Sequence, residues 1–293
     1  MIVAVRRWAQ ILIFYCLMTP FANSQDEEGW QAFELRNGYI ALPVTVNGVK
    51  GWAMLDTGAP SMSVNQTLVS NQQLQQTEQS TQGAFSTQRD VVASQVELEL
   101  FGHKHRLRGI HAAPLGDFLL VIGRDFFGRH LLQIDYPHQR MRLLTRAAIP
   151  ATKFGNIPAR RSRFGVMVQV EVPDTGNAFW VDLDTGNNDG IVTSRRAAER
   201  NDLLTMPPVE HTHGQDINGA VARLDKHLIP ALRLGPYELE NIALFVEAEG
   251  ERIKLGRGTQ GSIGLAGREL FKHFLLTISF REAEVHLTVP SSH

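Results

Sequence analysis

The 293-residue chain holds a single cysteine, Cys16, and it lies in the N-terminal segment. The body of the protein therefore uses neither disulfides nor thiol chemistry. No block of five or more like charges occurs, and 29 Lys and Arg against 30 Asp and Glu leave a formal net charge of −1. That balance excludes a nucleic-acid groove and an acidic interaction tail. No low-complexity or collagenous stretch is present. What remains is 43% hydrophobic and 20% charged, the profile of a soluble globular protein long enough to bury its core without staples.

The start of the chain is different. "MIVAVRRWAQILIFYCLMTPFANSQ" has a basic n-region (Arg6, Arg7), an apolar stretch from Ile11 to Phe21 and a small-x-small end at Ala22-Asn23-Ser24. It reads as a secretory signal cleaved after Ser24. The competing reading is a retained anchor, but the apolar run is short for a span and contains Pro20. Tyr15 before Cys16 argues against a lipoprotein. The expectation is an exported protein, periplasmic or secreted with the periplasm favoured, and no stable membrane span once the signal is removed.

The rest of the chain repeats itself. Asp-Thr-Gly occurs at 56–58, 174–176 and 184–186. When Asp56 is set on Asp184, Trp52 meets Trp180, Leu55 meets Leu183 and Gly48 meets Gly176. The tails match without a gap: "GRDFFGRHLLQIDYPHQRMRLL" (123–144) lies on "GRELFKHFLLTISFREAEVHLT" (267–288). The offset is 128 residues at the Asp and 144 at the tails, so the second half is expected to carry a 16-residue insertion between these anchors. The halves meet in the Pro-, Gly- and Arg-rich stretch 146–165, read as a connection containing a solvated basic linker, "ARRSRFG" (159–165). This divides the chain into 1–24, 25–148 and 149–293.

The alignment also sorts the three copies. Asp174 falls on Asn47-Gly48 of the first half, and both lie between alternating apolar residues, so Asp174 belongs to a hairpin turn. Asp56 and Asp184 follow apolar strands at equivalent places. Most of the chain reads as short strands with Gly turns, and short helical stretches are expected only at 124–129 and 268–274.

One exposed Asp is a weak acid with nothing to poise it. Two carboxylates brought together across a two-fold axis cannot both ionise, so they share a proton and titrate in two steps. The ionised one takes a proton from water and the protonated one donates to a carbonyl oxygen under attack. Gly58 and Gly186 let the backbone approach the carboxylates. The hydroxyls of Thr57 and Thr185 can bond across the axis.

The sequences "AMLDTGA" (53–59) and "VDLDTGN" (181–187), each followed at a distance by "VIGRDFF" (121–127) or "LAGRELF" (265–271), resemble the retropepsin-like aspartic peptidases over nearly the whole mature chain. The resemblance implies an all-β fold of two homologous β-barrel lobes with pseudo-two-fold symmetry, and a short helix after each apolar-apolar-Gly-Arg element. It implies one active site between the lobes, with Asp56 and Asp184 as the dyad, Thr57, Gly58, Thr185 and Gly186 supporting the loops, and no cofactor or metal. The partner is a peptide or protein substrate, and the chain is a monomer with an intramolecular pseudo-dimer. A flap is expected at "TQGAFSTQ" (81–88), with Gly83, Ala84 and Phe85 at its tip, and a second at "HTHGQDING" (211–219).

Some residues depart from this pattern or stand beside it. Ala59 and Asn187 follow the two motifs, so neither loop offers a hydroxyl to the carboxylate, and activity is expected at weakly acidic to neutral pH. Met54 and Asp182 sit two residues before the dyad, on the same strand face. They are expected in the cleft, where Asp182 would favour a basic substrate residue, unless it is a solvated or Arg-paired surface carboxylate. His211 and His213, with Asp216 nearby, lack further ligands for a metal. Arg124 and Arg268 are expected in structural ion pairs near the loops, and Trp52 and Trp180 in the core. Two other functions compete with peptidase: a silent peptide-binding relative that keeps the cleft, and a carboxylate-pair glycosidase. Intact Asp-Thr-Gly copies argue against the first, and the absence of an identifiable aromatic platform against the second.

Overall fold

The computed structural model describes residues 29–82, 87–128, 130–149, 154–215, 220–251 and 261–290. The expected signal, the flap-tip residues Gly83, Ala84 and Phe85, and Asp216 to Gly219 lie outside the described residues.

The fold is all-β, because period-two alternation dominates the chain. In "YIALPVTV" the even positions from Ile40 to Val46 are all buried, as a strand with one face on a core requires. Strands are numbered in chain order. The first lobe is an eight-stranded sheet ordered β2 (Glu34–Arg36), β3 (Tyr39–Val46), β4 (Val49–Leu55), β9 (Leu120–Ile122), β5 (Ser63–Asn65), β8 (His103–Ala113), β7 (Thr87–Leu100), β6 (Gln76–Gln82). Pairing of β3 with β7 closes it towards a barrel. The second lobe repeats that order: β12 (Ala159–Ser162), β13 (Gly165–Val172), β14 (Asn177–Leu183), β19 (Ser262–Ala266), β15 (Ile191–Thr193), β18 (Tyr237–Glu247), β17 (Val221–Leu234), β16 (Glu210–Gln215). Here β13 pairs with β17.

A five-stranded sheet joins the lobes, in the order β1 (Gln31–Ala32), β11 (Arg140–Leu144), β10 (Leu131–Asp135), β20 (Leu275–Ser279), β21 (Glu284–Thr288). At its centre β10 runs antiparallel to β20 with Gln133 opposite Thr277. These two residues are equivalent in the matched tails, so the local two-fold passes between them. The Gln133 amide donates to the Thr277 hydroxyl at 3.0 Å. A continuous apolar core runs through both lobes and beneath this sheet. It includes the matched pair Phe127 and Phe271, both fully buried, with Phe127 stacked on Phe280. The two active-site loops thus rest on one shared base.

Several expectations are corrected. The residues after Gly123 and Gly267 form single 3-10 turns, Arg124–Phe126 and Arg268–Leu270, shorter than expected. Two short α-helices were not anticipated: α1 (Gln66–Asn71) and α2 (Arg195–Arg200). Their signal was present, since the Asn65 and Ser194 side chains accept the backbone N–H of Thr67 and Ala197 as N-caps. The extra residues of the second half are not one insertion. They divide between the segment from β15 to β16 and the segment from β18 to β19. The basic stretch 159–165 is no solvated linker: β12 and the start of β13 pair there as a hairpin. Asp174 lies in the exposed turn between β13 and β14, whose strands pair Val172 with Asn177.

Candidate active site

Each Asp-Thr-Gly loop begins where a buried strand ends. Leu55 and Leu183 are buried at the ends of β4 and β14. Each strand lies parallel to the apolar strand of the Gly-Arg element, with Leu55 beside Ile122 and Leu183 beside Ala266. The Asp56 N–H donates to the Ile122 carbonyl at 3.1 Å and the Asp184 N–H to the Ala266 carbonyl at 3.0 Å. Both Asp side chains therefore emerge from fixed backbone. The glycine that follows each apolar strand has a packing reason: a Cβ on Gly123 would strike the Ser61 backbone, and one on Gly267 the carbonyls of Asn187 and Asp189.

The two threonines lock the loops together. The Thr57 N–H donates to the Thr185 hydroxyl at 3.0 Å, and the Thr185 N–H donates to the Thr57 hydroxyl at 3.0 Å. Each hydroxyl then donates to a carbonyl of the other lobe, Thr57 to Leu183 at 3.3 Å and Thr185 to Leu55 at 3.0 Å. Both threonines are buried. The two glycines face the opposite carboxylates. A Cβ on Gly58 would lie 2.5 Å from Asp184 Oδ1, and one on Gly186 2.5 Å from the Asp56 carboxyl carbon. Only glycine admits this approach.

The structure thus brings Asp56, Thr57, Gly58, Asp184, Thr185 and Gly186 together, with each glycine against the carboxyl of the other loop. Burial pushes both carboxyls above the usual range. Asp184 rises furthest, because the charge of Asp56 adds to burial. Backbone donors oppose the rise: Ala59 N–H reaches Asp56 Oδ1 and Gly186 N–H reaches Asp184 Oδ1, both at 2.9 Å. One proton shared between two buried, coupled carboxyls is an arrangement able to supply a base and an acid together.

The neighbouring residues sort less simply. Met54 is half-buried beside the dyad, packed with Tyr39, Trp52 and Ala59 around Ala41, Phe118 and Val121. Asp182 is buried and accepts a hydrogen bond from the Ser162 hydroxyl. It is neither the open cleft carboxylate nor the solvated surface group expected from strand alternation, because β12 covers it. Trp52 and Trp180 are not fully buried, although Trp52 packs on that apolar cluster. Each is half-buried under a guanidinium, with Arg36 4.0 Å and Arg160 4.1 Å from the ring centroid. Arg268 does pair with a carboxylate, Glu269 at 3.2 Å. Arg124 does not: its guanidinium donates to the carbonyls of Gly58, Arg163 and Phe164, each at 3.1 Å. His211 is bonded to Asp225 at 2.7 Å. Among the described residues no group of three His, Cys, Asp or Glu could hold a metal.

Fold and site define a retropepsin-like protein: two β lobes of one strand order, with an Asp-Thr-Gly loop from each meeting at a pseudo-two-fold axis. Residues 42–115, within the first lobe, match the family model described as aspartyl protease. The match runs from within β3 to just past β8 and includes Asp56. The likeness of the second lobe is carried by its strand order and its own loop. No curated protein matches the chain.

Proposed function

We propose that the chain is an exported aspartic endopeptidase that hydrolyses peptide bonds with water activated between Asp56 and Asp184. The observation that carries this reading is the reciprocal Thr57–Thr185 lock, which sets each loop's glycine against the other loop's carboxyl while backbone N–H groups point at both carboxyls. A surface that only binds peptide has no use for a buried carboxyl pair, since each buried acid is unfavourable unless bonded.

In this mechanism the ionised carboxylate removes a proton from water as its oxygen bonds to the scissile carbonyl carbon. The protonated carboxyl gives its proton to the carbonyl oxygen, forming a gem-diol. The first carboxyl then passes its proton to the amide nitrogen, the C–N bond breaks, and a diol hydroxyl returns a proton to the second. The products are a free acid and an amine, and the dyad is restored. A peptide or protein is the substrate.

The test is incubation of the chain with a mixed peptide library from pH 4 to 8, reading new termini by mass spectrometry. Cleavage is expected, with a bell-shaped rate profile: protonation of the base forms the acidic limb and loss of the shared proton the alkaline limb. Since burial raises both carboxyls, both limbs lie above the ordinary Asp value of about 3.9. An optimum below about pH 4 would contradict the burial of the pair.

A further inference from the structure

The two halves of the site differ in one respect that their shared strand order does not require. The Arg124 guanidinium donates to the Gly58 carbonyl at 3.1 Å. The N–H of that same peptide group belongs to Ala59 and donates to Asp56 Oδ1 at 2.9 Å. A cation, a peptide dipole and a carboxylate are therefore connected in series. Each bond polarises the next, and the carboxylate at the end is stabilised as an anion.

The second lobe does not reproduce this series. The N–H of Asn187, equivalent to that of Ala59, turns to the main-chain carbonyl of Asp184 at 3.2 Å. Arg268, equivalent to Arg124, spends its guanidinium on Glu269 at 3.2 Å, and its Nε is buried without a partner. Among the described residues no carboxylate forms an ion pair with Arg124; its charge acts on Asp56 first and, more weakly, on Asp125, Asp182 and Asp184.

Arg124 is also fixed from the other lobe. The turn between β12 and β13 presents the carbonyls of Arg163 and Phe164 to it, both at 3.1 Å. That turn is shaped by Ser162, whose hydroxyl donates to buried Asp182 and accepts the Phe164 N–H at 3.0 Å. Asp182, otherwise unused by the mechanism, thus helps to anchor the turn that holds the arginine.

We infer that Arg124 is a positioning residue that breaks the symmetry of the dyad through the Gly58–Ala59 peptide, making Asp56 the base that activates water and Asp184 the acid that carries the shared proton. This assignment rests on the peptidase reading given above. The other groups around the pair do not supply such a bias. Tyr39 on β3 and Tyr136 beyond β10 are held neutral, as burial pushes both hydroxyls up. Asp182 lies on β14 beneath the Asp184 loop and faces Ser162. Asp189 lies among Glu269, Lys226, Arg268 and Glu210, whose charges oppose one another.

The experiment compares Arg124→Gln, Arg124→Lys and Arg268→Gln in the full chain. In Arg124→Gln the acidic limb of the kcat/KM profile is expected to move up, by about 1 unit at most, because the base loses a cation that keeps it ionised. Arg124→Lys should restore much of the shift, and Arg268→Gln should leave the limb in place. A limb that does not move in Arg124→Gln, or that moves equally in Arg268→Gln, overturns the assignment. A second measurement needs no cleavage: the carboxyl carbons of 13C-labelled aspartate are titrated by NMR, with signals assigned through Asp56→Asn and Asp184→Asn. Asp56 is expected to carry most of the charge after the first ionisation of the pair, and less of it in Arg124→Gln. Ionisation of Asp184 first would refute the inference even in an active peptidase. The expected order in a chain that cleaves nothing would uphold the polarised pair and refute only the peptidase reading.

Discussion

Asp184→Asn is expected to abolish peptide cleavage while making the protein less sensitive to alkaline pH. The amide fills the same space but cannot share or donate the dyad proton. The loss in kcat/KM should reach at least the roughly 10²- to 10⁴-fold contribution of a positioned general acid or base. The stability effect follows from burial. The Asp184 carboxyl is raised well above its ordinary value, first by burial and then by Asp56. The folded state therefore binds this proton more tightly than the unfolded state, and stability falls as pH rises through the folded value. Removing the carboxyl removes that decline. Scanning calorimetry between pH 4 and 8 should show Tm dropping less steeply in the variant than in the wild type. A variant that keeps a tenth of the wild-type rate, or a Tm profile parallel to wild type, would contradict a coupled buried dyad.

The second large effect concerns the lock beneath the carboxyls. Thr57→Val keeps the shape of the side chain and removes its hydroxyl. The Thr185 N–H then loses its acceptor, and the Leu183 carbonyl loses a donor. An unpaired buried donor costs about 1–3 kcal/mol. The double variant Thr57→Val, Thr185→Val removes all four cross-axis bonds. It should cost more than either single change, a large share of a total stability of about 5–15 kcal/mol. Urea unfolding measures the cost directly. Thr57→Ser and Thr185→Ser keep the hydroxyl, so each should stay near wild type in both stability and cleavage. A valine variant as stable as the serine variant would show that the hydroxyls do not hold the lobes.

Much of this site was legible because the informative signals were local. The apolar stretches "YIALPVTV", "LLQID" and "MRLL" fall in β3, β10 and β11; β3 alternates over one core face, whereas β10 is buried along its whole length. The role of Asp174 as a turn residue was equally local. The two short helices were missed because six-residue segments carry too little periodicity, although their caps stood in the sequence at Asn65 and Ser194.

The errors cluster where partners are distant in sequence. Alternation placed Asp182 on the face of Asp184, but it could not show that β12 would fold over it and offer Ser162. A basic composition at 159–165 suggested a solvated linker, whereas backbone pairing with β13 made it a hairpin and gave its turn carbonyls to Arg124. Arg124 and Arg268 occupy matching positions and looked interchangeable. Their environments differ because one meets the turn of the other lobe and the other meets Glu269 in its own. The tryptophans looked like core residues from their equivalent strand positions, yet each is half-buried under an arginine two strands away in its sheet.

The sequence by itself determined the strand-rich lobes, the pairing of the Asp-Thr-Gly loops by internal repetition, and the need for glycine at 58 and 186. These follow from side-chain periodicity and from residue types that only one backbone environment tolerates. Only the tertiary structure decided that Asp182 is buried against Ser162, that Arg124 bonds to backbone carbonyls beside the dyad, and how the threonines bond across the axis. Those outcomes depend on contacts between segments far apart in sequence, from 20 residues for Ser162 and Asp182 to 128 for Thr57 and Thr185, which packing on one core brings within hydrogen-bond reach.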